Sequence, residues 1–173
     1  MFILRRRPNE SVAICNNIVV MVLIVVSLFY MSSAKADECA ALVGRIVQQE
    51  NAQFVKRSPS GNIYFLKHRL AHEISVDCGA DSVGPMISVG FDGVPFPNEA
   101  MFLFAARLGT LLTGMGQPVL LKALHGCHRE ALKETQAEIA QRDLPHGMQV
   151  ECQAFRRDGG ASSFTFSKDL AAK

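Results

Sequence analysis

The chain has 173 residues and a formal net charge of +2. The excess of basic side chains lies in residues 1–36, because residues 37–173 contain 14 Lys and Arg against 15 Asp and Glu, a net charge of about −1. This near-neutral balance gives no argument for a nucleic-acid partner. Residues 37–173 are enough for one domain with a single hydrophobic core.

Residues 1–36 have the composition of an export signal. Three arginines at positions 5–7 precede an apolar run over residues 18–31, and an Ala-Lys-Ala sequence follows at 34–36. A basic head, an apolar middle and small residues before the cleavage point are the pattern of a secretory signal. We therefore predict a signal peptide over residues 1–36, a single secreted domain over residues 37–173, and a periplasmic or secreted location.

An uncleaved signal anchor is the alternative, in which residues 18–31 keep the protein attached to the membrane. That run of about 14 apolar residues is shorter than the roughly 20 residues of a membrane-spanning helix, which favours cleavage. A lipoprotein is not indicated, because Asp37 and Glu38, rather than small apolar residues, precede Cys39.

Four cysteines remain in the predicted domain once Cys15 is removed with the signal peptide. An even number of cysteines in an oxidising compartment predicts disulfides. Of the three possible connectivities we favour Cys39–Cys78 with Cys127–Cys152, because each bridge would tie a helix to a strand. The chain has no C-x-x-C pair, so the spacing does not indicate a structural zinc site.

The first half of the domain is predicted to contain one helix and four strands. Apolar residues at three- and four-residue steps indicate a helix over residues 38–50. Two strand candidates, 53–56 and 62–67, flank a Ser-Pro-Ser-Gly turn. Alternating apolar and polar residues indicate two further strands over 73–78 and 87–92.

Two helices are predicted in the second half of the domain. Asn98 is a suitable N-cap for a helix over residues 99–113, and Gly114 supplies its end. Pro118 suits the first turn of the next helix, which is expected to end near Asp143.

The chain closes with a predicted hairpin whose turn is Asp158-Gly159-Gly160. The element order is therefore α-β-β-β-β-α-α-β-β. This order predicts an α+β fold in which helices pack on one face of a mostly antiparallel sheet, with two disulfides.

Histidines are weak candidates for a metal site. His125 and His128 flank Cys127, and residues four apart such as His68 and His72 can share a face. Metal sites of known type need three or four ligands with supporting partners, and further ligands cannot be named here. We therefore assign no metal and no cofactor.

The predicted helix over residues 99–113 is apolar nearly all round, with six consecutive apolar residues at 101–106. Such a helix is either central to the core or presents a second face to a partner. Burial is favoured. In the alternative, Phe102 and Leu103 form an exposed patch that binds a partner or a second copy of the chain.

Basic residues gather near the predicted hairpins. If the hairpin ends lie together, they would form an anion site for phosphate, polysaccharide or lipid headgroups, although solvated strand ends explain the residues without a ligand. The pairs are Lys56 with Arg57, Lys67 with Arg69, and Arg156 with Arg157.

These observations predict a non-catalytic exported domain that binds a partner protein or an envelope component. No catalytic residue is assigned, because the chain has no Gly-x-Ser-x-Gly motif and all four cysteines are expected to be paired. The alternatives are a small exported hydrolase without a recognisable motif, and a metal-binding protein that uses His125 and His128.

Overall fold

A computed structural model describes residues 38–79, 84–134, 138–157 and 159–168. The predicted signal peptide over residues 1–36 lies outside these ranges and stays a prediction. None of the helices in the described ranges is long and apolar enough to cross a membrane.

The described ranges contain three α-helices, which are α1 (residues 38–50), α2 (Glu99–Thr113) and α3 (Gln117–Ala131). The predicted bounds of α2 are confirmed by its caps. The Asn98 side chain accepts a hydrogen bond from the Met101 backbone N–H at 3.1 Å, which satisfies one free donor of the first turn. Gly114 ends the helix in the left-handed conformation, with φ 72°, which glycine adopts without strain.

Seven strands form one antiparallel sheet with the order β1-β2-β3-β4-β7-β6-β5. The β4–β7 ladder joins a meander of the first four strands to a meander of the last three. The predicted α+β fold with an antiparallel sheet is confirmed. The strands are β1 (Gln53–Arg57), β2 (Ile63–His68), β3 (Ala71–Asp77), β4 (Met86–Asp92), β5 (Ile139–Leu144), β6 (Met148–Phe155) and β7 (Ala161–Lys168).

The predicted end of the last helix near Asp143 is wrong. Helix α3 ends at Ala131, and the segment from Ile139 to Leu144 forms β5 instead. All six residues of β5 pair with β6, so their backbone hydrogen bonds come from a neighbouring strand. Arg142 of β5 reaches α3, where its Nε donates to Glu130 Oε2 at 3.1 Å. The pairing of β5 with β6 therefore decides the structure of this segment, although its sequence continues the helical pattern of α3.

The core lies between the helices and one face of the sheet. Residues that alternate with the buried ones, such as Ser75, Ser88 and Thr165, are half-buried on the opposite face. The helices contribute Leu42 and Ile46 from α1, Phe104 and Leu108 from α2, and Leu120 and Leu124 from α3. The inward-facing side chains of the sheet include Ile74, Val76, Ile87, Val89, Val150, Phe164 and Phe166.

Helix α2 packs closely against the sheet at Gly109. A Cβ atom at this position would lie 2.8 Å from two ring carbons of Phe166 and 3.1 Å from a methyl carbon of Leu120. Phe166 and Leu120 are both fully buried. The missing side chain at Gly109 therefore lets the helix backbone pack directly against the core.

Both predicted disulfides, Cys39–Cys78 and Cys127–Cys152, are present. The first ties α1 to the end of β3, and the second ties α3 to β6. The bridged cysteines are 39 and 25 residues apart in the chain. Each bridge therefore lies on one side of the β4–β7 ladder and does not cross it.

Candidate functional site: a basic cleft beside strand β1

A solvent-open cleft of about 470 Å³ lies where the C-terminal end of α1, the start of β1, the β2–β3 turn and α2 meet. Its volume falls within the roughly 300–1,000 Å³ of small-molecule sites. We call it the basic cleft. Its polar lining includes Glu50 of α1, Gln53 of β1, Lys67 and His68 of β2, Arg69 of the turn and Arg107 of α2.

The basic cleft holds three cations and one carboxylate. Arg107 Nε donates to both carboxylate oxygens of Glu50, at 2.8 and 3.1 Å, and the Glu50 side chain is only 8% exposed. This ion pair joins α1 to α2 and neutralises Arg107. Lys67 and Arg69 are exposed, and Glu50 is the one acidic residue among the described residues that line the cleft. The cleft therefore has two basic side chains that its own carboxylate does not neutralise.

His68 adds a neutral hydrogen-bond donor to the basic cleft. Its ring stacks on the buried ring of Phe104, with 4.1 Å between the ring centroids. The Leu70 backbone N–H donates to His68 Nδ1 at 3.2 Å, so the neutral ring carries its proton on Nε2. Burial lowers the pKa of His68, while Glu50 opposes this shift and the neighbouring arginines add to it. The His68 ring is thus neutral at neutral pH and presents its Nε2–H group as a hydrogen-bond donor.

The charge of the basic cleft belongs to a longer acid-free segment. Residues 51–72, which include β1 and β2, contain four basic residues and no Asp or Glu. In the whole of residues 37–173, by contrast, 14 basic residues are balanced by 15 acidic residues. Positive charge is therefore concentrated at one edge of the sheet. The four basic residues are Lys56, Arg57, Lys67 and Arg69.

The structure brings together only part of the basic set predicted from the sequence. Lys67 and Arg69 line the cleft, but Arg157 lies 3.8 Å from the carboxylate of Glu138, at the hairpin between β6 and β7. Sequence reasoning missed Arg107, because it is separated from Lys67 and Arg69 by more than 35 residues. The absence of Asp and Glu from residues 51–72 was the sequence feature that could have indicated the basic cleft.

Of the four histidines named as weak metal candidates, His125 and His128 both contact the Phe102 ring, whereas His68 and His72 lie on β2 and β3. His125 Nε2 lies 3.2 Å from a carboxylate oxygen of Glu99, and His72 Nε2 lies 3.3 Å from one of Asp92. The other two, on β2 and α3, contact aromatic rings. Across the described residues, no group of three or more His, Cys, Asp or Glu side chains is placed to hold a metal ion.

The two residues of the alternative partner patch, Phe102 and Leu103, differ in burial. The Phe102 side chain is 5% exposed, and its ring packs against Phe164 with 5.3 Å between the centroids. Phe102 therefore belongs to the core, which is the favoured reading, and offers no exposed surface. Leu103 is half-buried, and a partner-binding role for it stays a prediction.

A buried Ser–His pair lies beneath the loop over residues 93–97. His128 Nε2 lies 3.1 Å from the Pro95 carbonyl oxygen and 3.3 Å from Ser162 Oγ. Ser162 Oγ donates to the same carbonyl oxygen at 3.1 Å. Because His128 and Ser162 are only 5% and 1% exposed, a substrate has no access to them. The pair fixes the loop to the sheet and gives no support to the hydrolase alternative.

The free energy of unfolding is expected to fall as the pH drops below about 6.5, partly because of His128. Burial lowers the pKa of His128 in the folded protein, although the hydrogen bond to Pro95 opposes this. The unfolded chain therefore binds the proton more readily. The contribution to stability is complete above the unfolded-state pKa of about 6.5 and is lost as the pH falls from there through the lower pKa of the folded state.

Urea unfolding at a series of pH values measures this dependence. The His128→Gln variant keeps a hydrogen-bond donor for Pro95 and does not titrate, so it should show a smaller loss of stability toward acid. An equal loss in the wild type and in this variant would contradict the assignment.

A second cleft, of about 350 Å³, lies on the open face of the sheet. It contains the His72–Asp92 pair, whose side chains are 66% and 65% exposed, so solvent screens their interaction. Ser88, which also lines this cleft, is hydrogen-bonded to Thr165 at 2.9 Å. His72 and Ser88 are thus engaged with different partners and do not form a nucleophile with its base.

Comparisons of the chain with protein-family models, with curated proteins and with solved structures found no significant match.

Proposed function

We propose that the chain is an exported, non-catalytic binding domain whose ligand is an anionic component of the cell envelope, bound through a phosphate group in the basic cleft. The observation that carries this proposal is the presence of three cations and one carboxylate around a cleft of about 470 Å³. Phosphate oxygens accept several hydrogen bonds from Lys and Arg at once. The unneutralised pair, Lys67 and Arg69, matches the charge of such a group.

Two features support the exported location in this proposal. The two disulfides are typical of proteins in oxidising compartments, and residues 1–36 have the sequence pattern of a secretory signal.

The chemistry of the lining supports binding rather than catalysis. Among the described residues of the basic cleft there is no Ser, Thr or Cys to act as a nucleophile. Its single carboxylate, Glu50, is held by Arg107 and is largely buried, so it is committed to the ion pair. Lys67, Arg69 and the Nε2–H group of His68 are donors, which suit recognition of an anion.

Titration with inorganic phosphate and with glycerol phosphate tests the proposal, followed by backbone amide NMR shifts. We expect saturable shifts centred on residues 67–70, weaker at high salt because Lys67 and Arg69 are exposed to screening. The Lys67→Gln/Arg69→Gln double variant should weaken binding at least about tenfold, since each charge-assisted hydrogen bond contributes roughly 1.5–3 kcal/mol.

The matched control is the Lys122→Gln/Arg129→Gln double variant, which removes two exposed cations from α3 and should bind phosphate like the wild type. Arg107 is left in place because its loss would strand the largely buried Glu50 carboxylate. Equal weakening of phosphate binding in both double variants would show that net charge alone causes the effect, and it would refute the site. Tighter binding of acetate than of phosphate would also refute it.

A further inference from the structure

The edge of the sheet next to the basic cleft exposes two adjacent apolar side chains. Phe54 is 55% exposed and Val55 is 56% exposed, and all five residues of β1 are exposed. Other exposed apolar residues, such as Phe96 and Val119, lie in different elements, and single exposed apolar residues need no explanation. The adjacent pair of exposed apolar side chains on β1 does require an explanation.

Two cations follow this apolar pair along β1. Lys56 Nζ lies over the ring of Phe65, 5.1 Å from its centroid, and the Arg57 guanidinium lies over the ring of Tyr64 at 4.6 Å. Both residues stay exposed, so each charged group contacts an aromatic ring and remains accessible to water.

The geometry of β1 is unsuited to pairing with a strand of another protein. The β1–β2 register shifts between Phe54 and Lys56, which places a β-bulge at Val55. A bulge interrupts the ladder and, together with a lysine, protects a sheet edge against strand addition. A partner at this edge therefore meets side chains rather than a regular row of backbone groups.

We infer that this edge docks the protein on a membrane surface of anionic lipids: Phe54 and Val55 enter the headgroup region, Lys56 and Arg57 contact lipid phosphates, and the basic cleft holds one further headgroup. The inference rests on the proposed function, because the cleft supplies the phosphate site. Apolar side chains among cations are the combination that binds anionic bilayers. The absence of any acid from residues 51–72 leaves no repulsive charge within this segment.

The placement of the two groups suits a single flat surface. Gln53, the first residue of β1, lines the basic cleft and pairs with Lys67. Arg57, the last residue of β1, lies about 13 Å away along a strand of this length. The cleft and the β1 cations therefore lie along one edge, and a bilayer can contact both.

Because the chain contains no tryptophan, a single introduced tryptophan reports on this edge alone. The full-length Phe54→Trp variant is titrated with vesicles made of equal parts phosphatidylglycerol and phosphatidylcholine. We expect a blue shift of its emission with these vesicles and none with vesicles of phosphatidylcholine alone. The Val119→Trp variant, which places the reporter on α3, should show no emission shift with either type of vesicle. This control holds even if the apolar run over residues 18–31 inserts into the bilayer, because α3 would stay in water.

Charge removal gives the second arm of the test. Adding Lys56→Gln and Arg57→Gln to the Phe54→Trp protein should raise the lipid concentration at half-maximal shift by about 30-fold. Adding Lys122→Gln and Arg129→Gln on α3 should leave it unchanged.

Several outcomes would overturn the inference. The first is the absence of an emission shift when the Phe54→Trp variant meets anionic vesicles, and the second is an equal shift with neutral vesicles. The third is an equal shift of the Val119→Trp variant with anionic vesicles. The fourth is an equal shift of the Phe54→Trp variant with soluble poly-glutamate, which would indicate an acidic protein partner. If phosphate still shifts the amides of residues 67–70 while vesicles do not bind, the cleft stands and only membrane docking fails. If phosphate also has no effect, both proposals fail.

Discussion

Replacing Cys127 and Cys152 together by alanine is expected to lower the free energy of unfolding by about 3.5 kcal/mol. The bridge joins residues 25 apart in the chain, and its loss lets the unfolded chain recover the entropy of that open loop. Both cysteines are fully buried, so the alanines leave little polar surface but remove the link between α3 and β6. Urea unfolding under non-reducing conditions measures the difference.

A reductant provides the control for this prediction. The wild type unfolded with excess thiol should approach the stability of the Cys127→Ala/Cys152→Ala variant, apart from the further loss from opening Cys39–Cys78. If the double variant is as stable as the oxidised wild type, the bridge does not contribute in the way described.

The Gly109→Ala substitution is expected to destabilise the protein by up to about 2 kcal/mol, although alanine is the better helix former. Alanine in place of glycine gains up to about 1 kcal/mol in a helix interior. At Gly109, however, the new methyl group would lie 2.8 Å from the buried ring of Phe166, and overpacking of this kind costs roughly 1–3 kcal/mol. The steric cost therefore exceeds the gain in helix propensity.

The matched control is Gly44→Ala in α1, where a Cβ atom would have no neighbour within 4 Å. This variant should be more stable than the wild type by up to about 1 kcal/mol. The double variant Gly109→Ala/Phe166→Leu, which makes room for the methyl group, should recover part of the stability lost by Gly109→Ala. Thermal or urea unfolding of the four proteins decides, and a stabilising Gly109→Ala would show that α2 does not contact the sheet so closely.

The elements predicted correctly from the sequence were those with local signals. Asn98 and Gly114 marked both ends of α2, and alternation of apolar residues located β4 and the closing hairpin. Each of these signals acts within a few residues. The disulfide pairing was also predicted, because only four cysteines remained and each favoured bridge joined a helix to a strand.

The errors arose where distant residues decide the structure. The segment that forms β5 continued the helical pattern of α3, and only its pairing with β6 shows that it is a strand. The basic cleft depends on Arg107 and Glu50, which lie on different helices and meet through an ion pair. Their positions in the sequence gave no indication of this contact. The acid-free run of residues 51–72 was visible, but its meaning required the strand order that makes β1 an edge.

The location of each disulfide on one side of the β4–β7 ladder has a consequence for how the chain reaches its fold. Cys39–Cys78 closes a loop that contains β1, β2 and β3, and Cys127–Cys152 closes one that contains β5 and the start of β6. Contacts between residues close in the chain form faster than contacts between distant residues. Both thiol pairs can therefore oxidise within their own meander, before Ile87 of β4 meets Phe166 of β7. Docking of the two covalently closed halves is then expected to be the late step of folding.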